Sequence, residues 1–247
     1  MPIYDYQGNI IESGGGEPTD LGAYKNNLNG KQWLCIGDSI TSANVCYRTI
    51  ICNKFGINAP HSGYSPFGGG KTAGFGVGAS SGFDDSKTYN SIVPSADIAT
   101  IMLGTNDYNG AGSTGGSQLG TIDDDPSEQT SSSFTFYGCY KGIIENIIKG
   151  YGVIPIVLLT PTQRNNGDSV NGFGHTLKDY RDAVIAMGEY YSLPVVDLYA
   201  MSGFAIGHSP ATSGYNGDGL HPAVDFWQLA SARVYYAMNE AINKYSL

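Results

Sequence analysis

The sequence predicts an α/β fold built on a five-stranded parallel sheet. From Trp33 onward, short apolar runs typical of strands alternate with segments whose apolar residues recur at helical spacing. Several of these segments end at a glycine, which is a common signal for the end of a helix or strand. Because parallel neighbours need a crossover helix, this alternation places helices on both faces of the sheet. We therefore predict a three-layer α/β/α sandwich with flavodoxin-like strand order.

Individual strands differ in the strength of their signal. The five predicted strands cover residues 33–36, 57–61, 99–103, 153–159 and 193–198. The segment 57–61 is the weakest, and 153–159 is the most apolar. The strands at 33–36 and 99–103 end at turns that begin with Gly37 and Gly104. In an open parallel sheet, ligand sites lie at the carboxyl ends of the strands, so these turns are where functional residues are expected.

Four helices are predicted between and after these strands. They cover residues 45–55, 137–149, the segment after Thr176, and a final stretch from about Pro222. Gly56 and Gly150 are predicted to end the first two. Thr176 and Asp179 have the spacing of a capping box, which satisfies backbone N–H groups at a helix start.

Composition limits the classes of function. The 247 residues suit one large domain, with 41% hydrophobic and only 14% charged residues. The formal net charge of −9, without a Lys/Arg cluster, disfavours binding to nucleic acid or anionic membranes. No run of about 18 apolar residues is present, so no membrane span is predicted. The N-terminus lacks the pattern of a secretory signal, and the compartment is left open.

The first 30 residues differ from the rest and are interpreted as an N-terminal arm and linker, with the main domain at 31–247. Ile3 to Ile11 has the pattern of a small hairpin, and a Gly-rich stretch follows it. The arm is either an ordered part of this domain or a connection to a larger protein. The four cysteines are expected as small core residues, since no paired spacing predicts a metal site.

Three turns carry residues suited to catalysis. Ser39 lies between the first strand and the first helix, where its hydroxyl can face a site, although a lone Asp-Ser pair is more often a helix cap. Asn106 follows the 99–103 strand, and its amide could donate to a developing negative charge. Asp218 and His221 precede the last helix, at a spacing that lets the carboxylate reach one imidazole nitrogen.

These blocks together resemble the SGNH hydrolase family, also called GDSL-like lipases and esterases, over residues 32 to about 245. Four stretches match the family blocks in order: Gly37-Asp38-Ser39-Ile40, Asn58-Ala59-Pro60-His61-Ser62-Gly63, Gly104-Thr105-Asn106-Asp107 and Asp218-Gly219-Leu220-His221. The resemblance implies that Ser39 is the nucleophile, His221 the base and Asp218 its acidic partner. It also implies an oxyanion hole made by the Ser39 N–H, the Gly63 N–H and the Asn106 amide. No metal or other cofactor is implied.

Competing motifs lack the required context. The 207–211 stretch around Ser209 is similar to a nucleophile elbow, but Ala211 replaces the final glycine and no helical pattern follows. The acidic run Asp123 to Asp125 lacks the alternating oxygen spacing of a calcium loop and is read as a solvated loop.

The resulting hypothesis is a serine esterase that acts through an acyl-enzyme. Polar and aromatic residues near the expected site, among them Tyr64 and Tyr108, suit hydrogen bonding and stacking with sugars. We therefore expect a short acyl group, such as acetyl, on a carbohydrate. Two alternatives stay open: a non-catalytic glycan-binding domain of a surface or tail assembly, and a thioesterase or lysophospholipase using the same triad.

Overall fold

A computed structural model describes residues 25–59, 95–109, 117–130, 133–202 and 218–245, and the backbone of two short N-terminal strands. The strands are β1 (Ile3–Tyr4), β2 (Ile10–Ile11), β3 (Trp33–Gly37), β4 (Ile98–Met102), β5 (Ile156–Leu159) and β6 (Val195–Val196). The helices are α1 (Ser39–Ser42), α2 (Tyr47–Phe55), α3 (Thr105–Asn109), α4 (Phe136–Tyr151), α5 (Leu177–Tyr191), α6 (Leu198–Met201) and α7 (Val224–Tyr245).

The main sheet is parallel, with strand order β3-β4-β5-β6. Gly37 at the end of β3 pairs with Met102 at the end of β4, and Met102 pairs with Leu159 at the end of β5. The carboxyl ends of three strands therefore lie level at one edge of the sheet. The short strands β1 and β2 pair antiparallel, as the hairpin pattern between Ile3 and Ile11 predicts. The predicted α/β class and parallel sheet are confirmed.

The predicted fifth strand is wrong within the described residues. Residues 57–61 were expected to form it, but only Asn58 pairs, in an isolated parallel bridge with Gln32. Two backbone hydrogen bonds hold it there, from Trp33 N to Asn58 O at 2.8 Å and from Asn58 N to Lys31 O at 2.9 Å. Pro60 has no backbone N–H to continue such a ladder, which is why a proline weakens a strand prediction.

Strand side chains alternate between two core clusters, because successive residues of a strand point to opposite faces. On β3, Trp33 and Cys35 join a cluster with residues of α2 and α7. Leu34 and Ile36 join the other cluster, with residues of α4 and α5. All four strand side chains are at most 2% exposed. The sheet is thus covered by apolar helix faces where these clusters lie.

Helix boundaries follow local chemistry. Thr176 N donates to Asp179 Oδ2 at 2.7 Å, so the predicted capping box before α5 is confirmed. Helix α2 ends as predicted at Gly56, which takes a positive φ of 72°. Helix α4 continues past the predicted end at Gly150 and is capped by Gly152, whose φ is 77°. A glycine inside a helix weakens it without ending it.

The segment before β3 packs on the domain from residue 25 onward. Leu28 is fully buried in the cluster that contains α2 and α7. Asn27 N donates to Asn239 Oδ1 at 2.8 Å, and Asn239 Nδ2 donates to Lys25 O at 3.1 Å. In the described part of the chain, no helix has the length and apolarity needed to cross a bilayer. The four cysteines are free thiols, and three of them are buried.

A buried carboxylate forms the junction between β3 and α1. Asp38 is 1% exposed, and its Oδ1 accepts a hydrogen bond from Ile40 N at 2.9 Å, which caps α1. Burial raises the pKa of Asp38 to about 7, and the nearby carboxylate of Asp107 acts in the same direction. The folded protein therefore favours the protonated form of this side chain, because a buried charge is poorly solvated.

This pKa shift predicts how stability depends on pH. Because Asp38 loses its proton near pH 4 when unfolded and near pH 7 when folded, its favourable contribution is complete below pH 4 and is lost as pH rises through 7. Asp38→Asn keeps the capping oxygen but cannot ionise. Denaturant unfolding should show the variant gaining stability over the wild type between pH 4 and pH 8, by about 4 kcal/mol at most.

The replacement Asp125→Asn is the control, because its effect on stability should change with pH in the opposite direction. Hydrogen bonds from the Ser127 hydroxyl and backbone N–H lower the pKa of Asp125. Its contribution is present above pH 4 and is lost on acidification, so Asp125→Asn should lose stability relative to the wild type as pH rises through 4. A pH-independent difference between Asp38→Asn and the wild type would contradict the buried, protonated assignment.

Candidate active site

Ser39 begins α1, directly after the end of β3, and its side chain is half-buried. Its Oγ lies 2.9 Å from Nε2 of His221, which is 182 residues away in the chain. The turn before it is tight: a Cβ added at Gly37 would lie 2.1 Å from Thr41 Oγ1. Only glycine therefore lets the chain pass from β3 into α1 this closely, and the turn presents the serine hydroxyl at the sheet edge.

A buried polar chain supports this turn from below. Trp33 Nε1 donates to Thr100 Oγ1 at 2.9 Å, and Thr100 Oγ1 lies 3.6 Å from Cys35 Sγ. The Tyr47 hydroxyl then bridges Cys35 Sγ, at 3.6 Å, and Thr41 Oγ1, at 3.0 Å. These contacts join β3, β4, α1 and α2, so the helix that carries the serine is fixed by hydrogen bonds that need specific partners.

Asp218 and His221 form a compact unit before α7. Asp218 Oδ1 accepts from His221 N at 2.7 Å and from Leu220 N at 2.9 Å, while Oδ2 lies 2.9 Å from His221 Nδ1. Gly219 has a φ of 88°, and a Cβ there would lie 2.2 Å from Asn165 Nδ2. Glycine is needed at this position both for the backbone conformation and for the space.

The protonation of this unit follows from its hydrogen bonds. The His221 backbone N–H, the His221 imidazole and the Leu220 N–H hold the pKa of Asp218 well below its usual range. An ionised carboxylate only accepts hydrogen bonds, so His221 Nδ1 carries the proton and donates to it. In the neutral imidazole, Nε2 then has no proton and accepts from the Ser39 hydroxyl. The geometry thus places a serine, a histidine and an aspartate in one directed hydrogen-bond chain.

Asn106 lies in the first turn of α3, which follows the end of β4. Gly104 makes the sharp turn into this helix with a φ of 126°. Asp107, fully buried, accepts from the Ser117 hydroxyl at 2.7 Å. Because Met102 pairs with Gly37, the segments that carry Asn106 and Ser39 leave the sheet from neighbouring, level strand ends.

Of the other residues predicted from the sequence, Tyr108 lies within the described part of the chain. Tyr108 is only 6% exposed; its hydroxyl donates to Asn166 O and, at 2.9 Å, to Ser169 O. The structure therefore uses this hydroxyl to hold the loop after β5. Gly63 and Tyr64 lie outside the described residues. Ser209, in the competing motif, lies outside them as well.

One residue at this edge was missed by the sequence interpretation. Arg164, on the segment after β5, donates from Nη1 to the backbone and side chain of Thr105 at 3.4 Å and from Nη2 to Asn109 Oδ1 at 3.3 Å. No family block contains it, but its position just beyond a parallel strand is itself a signal. No cluster of three metal-ligating side chains is present among the residues that the structure describes.

Comparison with known proteins gives a family match and shared folds. The model of the GDSL-like lipase/acylhydrolase family matches residues 35–225. No curated protein is a significant match to the chain. A possible lipase from Chitinophaga pinensis has a similar structure, with a TM-score of 0.58 and 21% identity over 88% of this chain and 99% of the other.

Two further solved structures share the fold. A catalytic mutant of an acetylxylan esterase from Geobacillus stearothermophilus gives a TM-score of 0.56 at 16% identity, covering 88% of this chain and 96% of the other. A lipase/acylhydrolase from Enterococcus faecalis gives 0.54 at 18% identity, covering 85% and 96%. At these identities, the similarity shows a common fold. Because the family model spans most of the chain, the protein belongs to the GDSL-like lipase/acylhydrolase family and is a serine hydrolase of the SGNH type.

Proposed function

We propose that the protein hydrolyses carboxylic esters through an acyl-enzyme, with Ser39 as nucleophile, His221 as general base and Asp218 as its acidic partner. The observation that carries the proposal is the pair of 2.9 Å contacts, Ser39 Oγ to His221 Nε2 and His221 Nδ1 to Asp218 Oδ2. Such a chain activates a hydroxyl that would otherwise be a weak nucleophile at neutral pH.

The chemistry proceeds in two steps. His221 Nε2 takes the Ser39 proton as Oγ attacks the ester carbonyl, and the imidazolium then gives that proton to the departing alcohol oxygen. Water attacks the resulting acyl-enzyme, with His221 again taking and returning a proton, and the carboxylic acid leaves. Asp218 keeps Nδ1 as a donor and stabilises the positive charge on the imidazole during both steps.

The developing oxyanion needs donors aimed at the position it will occupy. We assign this role to the Ser39 N–H, at the start of α1, and to the Asn106 amide, at the start of α3, with the Gly63 N–H as a third donor. Two of these three donors lie at helix starts that follow level ends of neighbouring strands. That arrangement supports donors on one side of the serine.

For the substrate, we propose a short acyl group, such as acetyl, on a carbohydrate. The fold shared with an acetylxylan esterase supports it. Catalytic mutants of that esterase replace a serine, and an aspartate and a histidine spaced three residues apart, the spacing of Asp218 and His221. The side chains of His221 and Asp218 are 39% and 62% exposed, an openness to water that suits a polar alcohol group.

The same proposal includes the architecture around the site. The two core clusters, one on each face of the strands, favour a three-layer α/β/α sandwich for residues 31–247. A flavodoxin-like order of the four described parallel strands is part of this proposal. Of the predicted arm 1–30, residues 25–30 pack on the domain, and the stretch before them is proposed to serve as an arm that can join a larger protein.

Removing the nucleophile should abolish most activity. We expect Ser39→Ala to lower kcat for 4-nitrophenyl acetate by on the order of 10⁴-fold, because the members of a triad act as a unit. The exposed Ser169→Ala is the matched control and should leave kcat within about twofold. A fluorophosphonate probe followed by peptide mass spectrometry should label Ser39 alone; labelling of Ser209 would contradict the assignment.

Removing the amide donor should affect the transition state more than binding. For Asn106→Ala, kcat should fall by roughly 10²- to 10³-fold with KM little changed, since the amide is aimed at a charge that exists only in the transition state. Asn106→Asp keeps the shape but loses the donors, and should fall at least as far. A change confined to KM would instead make Asn106 a substrate-binding residue.

Acyl length separates the proposed esterase from a lysophospholipase or thioesterase. Across 4-nitrophenyl esters from acetyl to palmitoyl, kcat/KM should be highest for the shortest chains and at least about tenfold lower for palmitoyl. Acetylated xylo-oligosaccharides tested in parallel should release acetate. Highest activity on palmitoyl would favour the lipid alternative, and inactivity on every ester would favour a glycan-binding domain.

A further inference from the structure

Arg164 brings a positive charge to the edge of the sheet where Ser39 and His221 meet. Its guanidinium reaches from the end of β5 across to α3, where it contacts Thr105 and Asn109. It also lies over the ring of Tyr108, 5.9 Å from the centroid. The side chain is therefore held in place between two of the segments that leave the carboxyl edge of the sheet.

Its hydrogen-bonding capacity is only partly used. The three donor–acceptor distances are 3.3–3.4 Å, near the outer limit for a hydrogen bond, and all three acceptors are uncharged. Nε is buried without a hydrogen-bond partner, and so is Oγ1 of Thr162, two residues earlier. Unsatisfied buried polar groups are rare in folded proteins, and each calls for an explanation.

The charge of Arg164 is also unpaired within the described part of the chain. No carboxylate there lies within 4.0 Å of its nitrogens, although other arginine and lysine side chains form such pairs. Burial lowers the pKa of the guanidinium, while the negative charges of Asp218 and Asp38 act to raise it. The cation is thus half-buried, near two carboxylates of the site, and in contact with neither.

A backbone contact ties this cation to the catalytic loop. Asn165, the next residue, donates from its N–H to Gly219 O at 2.7 Å, and Gly219 lies between Asp218 and His221. The residue next to Arg164 is thus in direct contact with the turn that carries Asp218 and His221.

We propose that Arg164 determines specificity by binding a carboxylate on the sugar that carries the ester, as in an acetylated uronic acid. The inference rests on the proposed function and specifies its substrate class. A planar carboxylate can accept two parallel hydrogen bonds from the Nη1 and Nη2 groups, whose present hydrogen bonds are long, and it would supply the missing ion pair. A single charge fits better than a phosphate dianion, because Asp218 and the net charge of −9 oppose further negative charge.

The test compares three substrates in wild type, Arg164→Gln and Arg233→Gln. The substrates are 4-nitrophenyl acetate, a neutral acetylated xylo-oligosaccharide and an acetylated oligogalacturonide. Arg233 is exposed on α7, so its replacement changes the net charge equally without touching the sheet edge. Arg164→Lys keeps the charge but loses the planar fork.

Wild type should prefer the acidic oligosaccharide over the neutral one. Arg164→Gln should lower kcat/KM for the acidic substrate by about 10- to 100-fold, mostly through KM, and change 4-nitrophenyl acetate by less than about threefold. Arg164→Lys should lie between the two, and Arg233→Gln should match the wild type. An equal loss on all three substrates would overturn the proposal and make Arg164 a positioning residue for α3.

A binding measurement gives a readout that does not need turnover. Deacetylated digalacturonate should bind Ser39→Ala, and calorimetry should show at least about tenfold weaker binding when Arg164→Gln is added. No binding, or equal binding in both variants, would overturn the proposal. These outcomes differ from failure of the esterase function itself, in which wild type would hydrolyse none of the three esters and the fluorophosphonate would not label Ser39.

Discussion

The level carboxyl ends of β3, β4 and β5 are the constraint on which the rest of the site depends. Parallel pairing in register makes the chain leave the sheet at the same height three times, after Gly37, Met102 and Leu159. Each exit turns into a short segment that carries a polar side chain toward one region. The sheet itself therefore brings together residues that are far apart in the sequence.

Beneath this edge, the structure accepts an unusual concentration of buried polar groups. Asp38 and Asp107 are both almost completely buried, and each uses one oxygen to fix local backbone or side-chain geometry. The chain of hydrogen bonds from Trp33 to Thr41 does the same on the other side of β3. Each of these groups is costly to bury unless its partner is present, so the surroundings of Ser39 are held by several independent contacts and tolerate little rearrangement.

Sequence reasoning recovered the features that local pattern dictates. Apolar periodicity and capping residues located the four longer helices and four of the strands, but not the short helices α1, α3 and α6. The blocks around Ser39, Asn106 and His221 indicated the candidate site. The strand predicted at 57–61 is reduced to a single bridge at Asn58. A short apolar run gives the same sequence signal as a strand, but a strand forms only where a neighbouring strand pairs with it, and the sequence does not show that neighbour.

The unpredicted features all depend on contacts between distant residues. The Tyr108 hydroxyl is engaged by carbonyls 58 and 61 residues later, and no pattern around it indicates that loop. Arg164 belongs to no motif, so only the rule that sites follow parallel strands could have drawn attention to it. Residue type predicts what a side chain can bind, but it does not show which neighbouring groups already occupy its hydrogen-bonding positions in the folded protein.

The proposed base, His221, and its proposed acidic partner, Asp218, come from one four-residue turn. Asp218 holds both the backbone and the ring of His221, so their mutual orientation is a local property of that turn. The contact between His221 and Ser39 depends on the tertiary structure, as does the hydrogen bond from Asn165 N to Gly219 O. Small shifts of the last helix would thus change these distances while leaving the proton-accepting tautomer intact. Because the Asp–His geometry is set within the turn, the scaffold around the turn can differ between related proteins while the relative position of the two side chains stays the same.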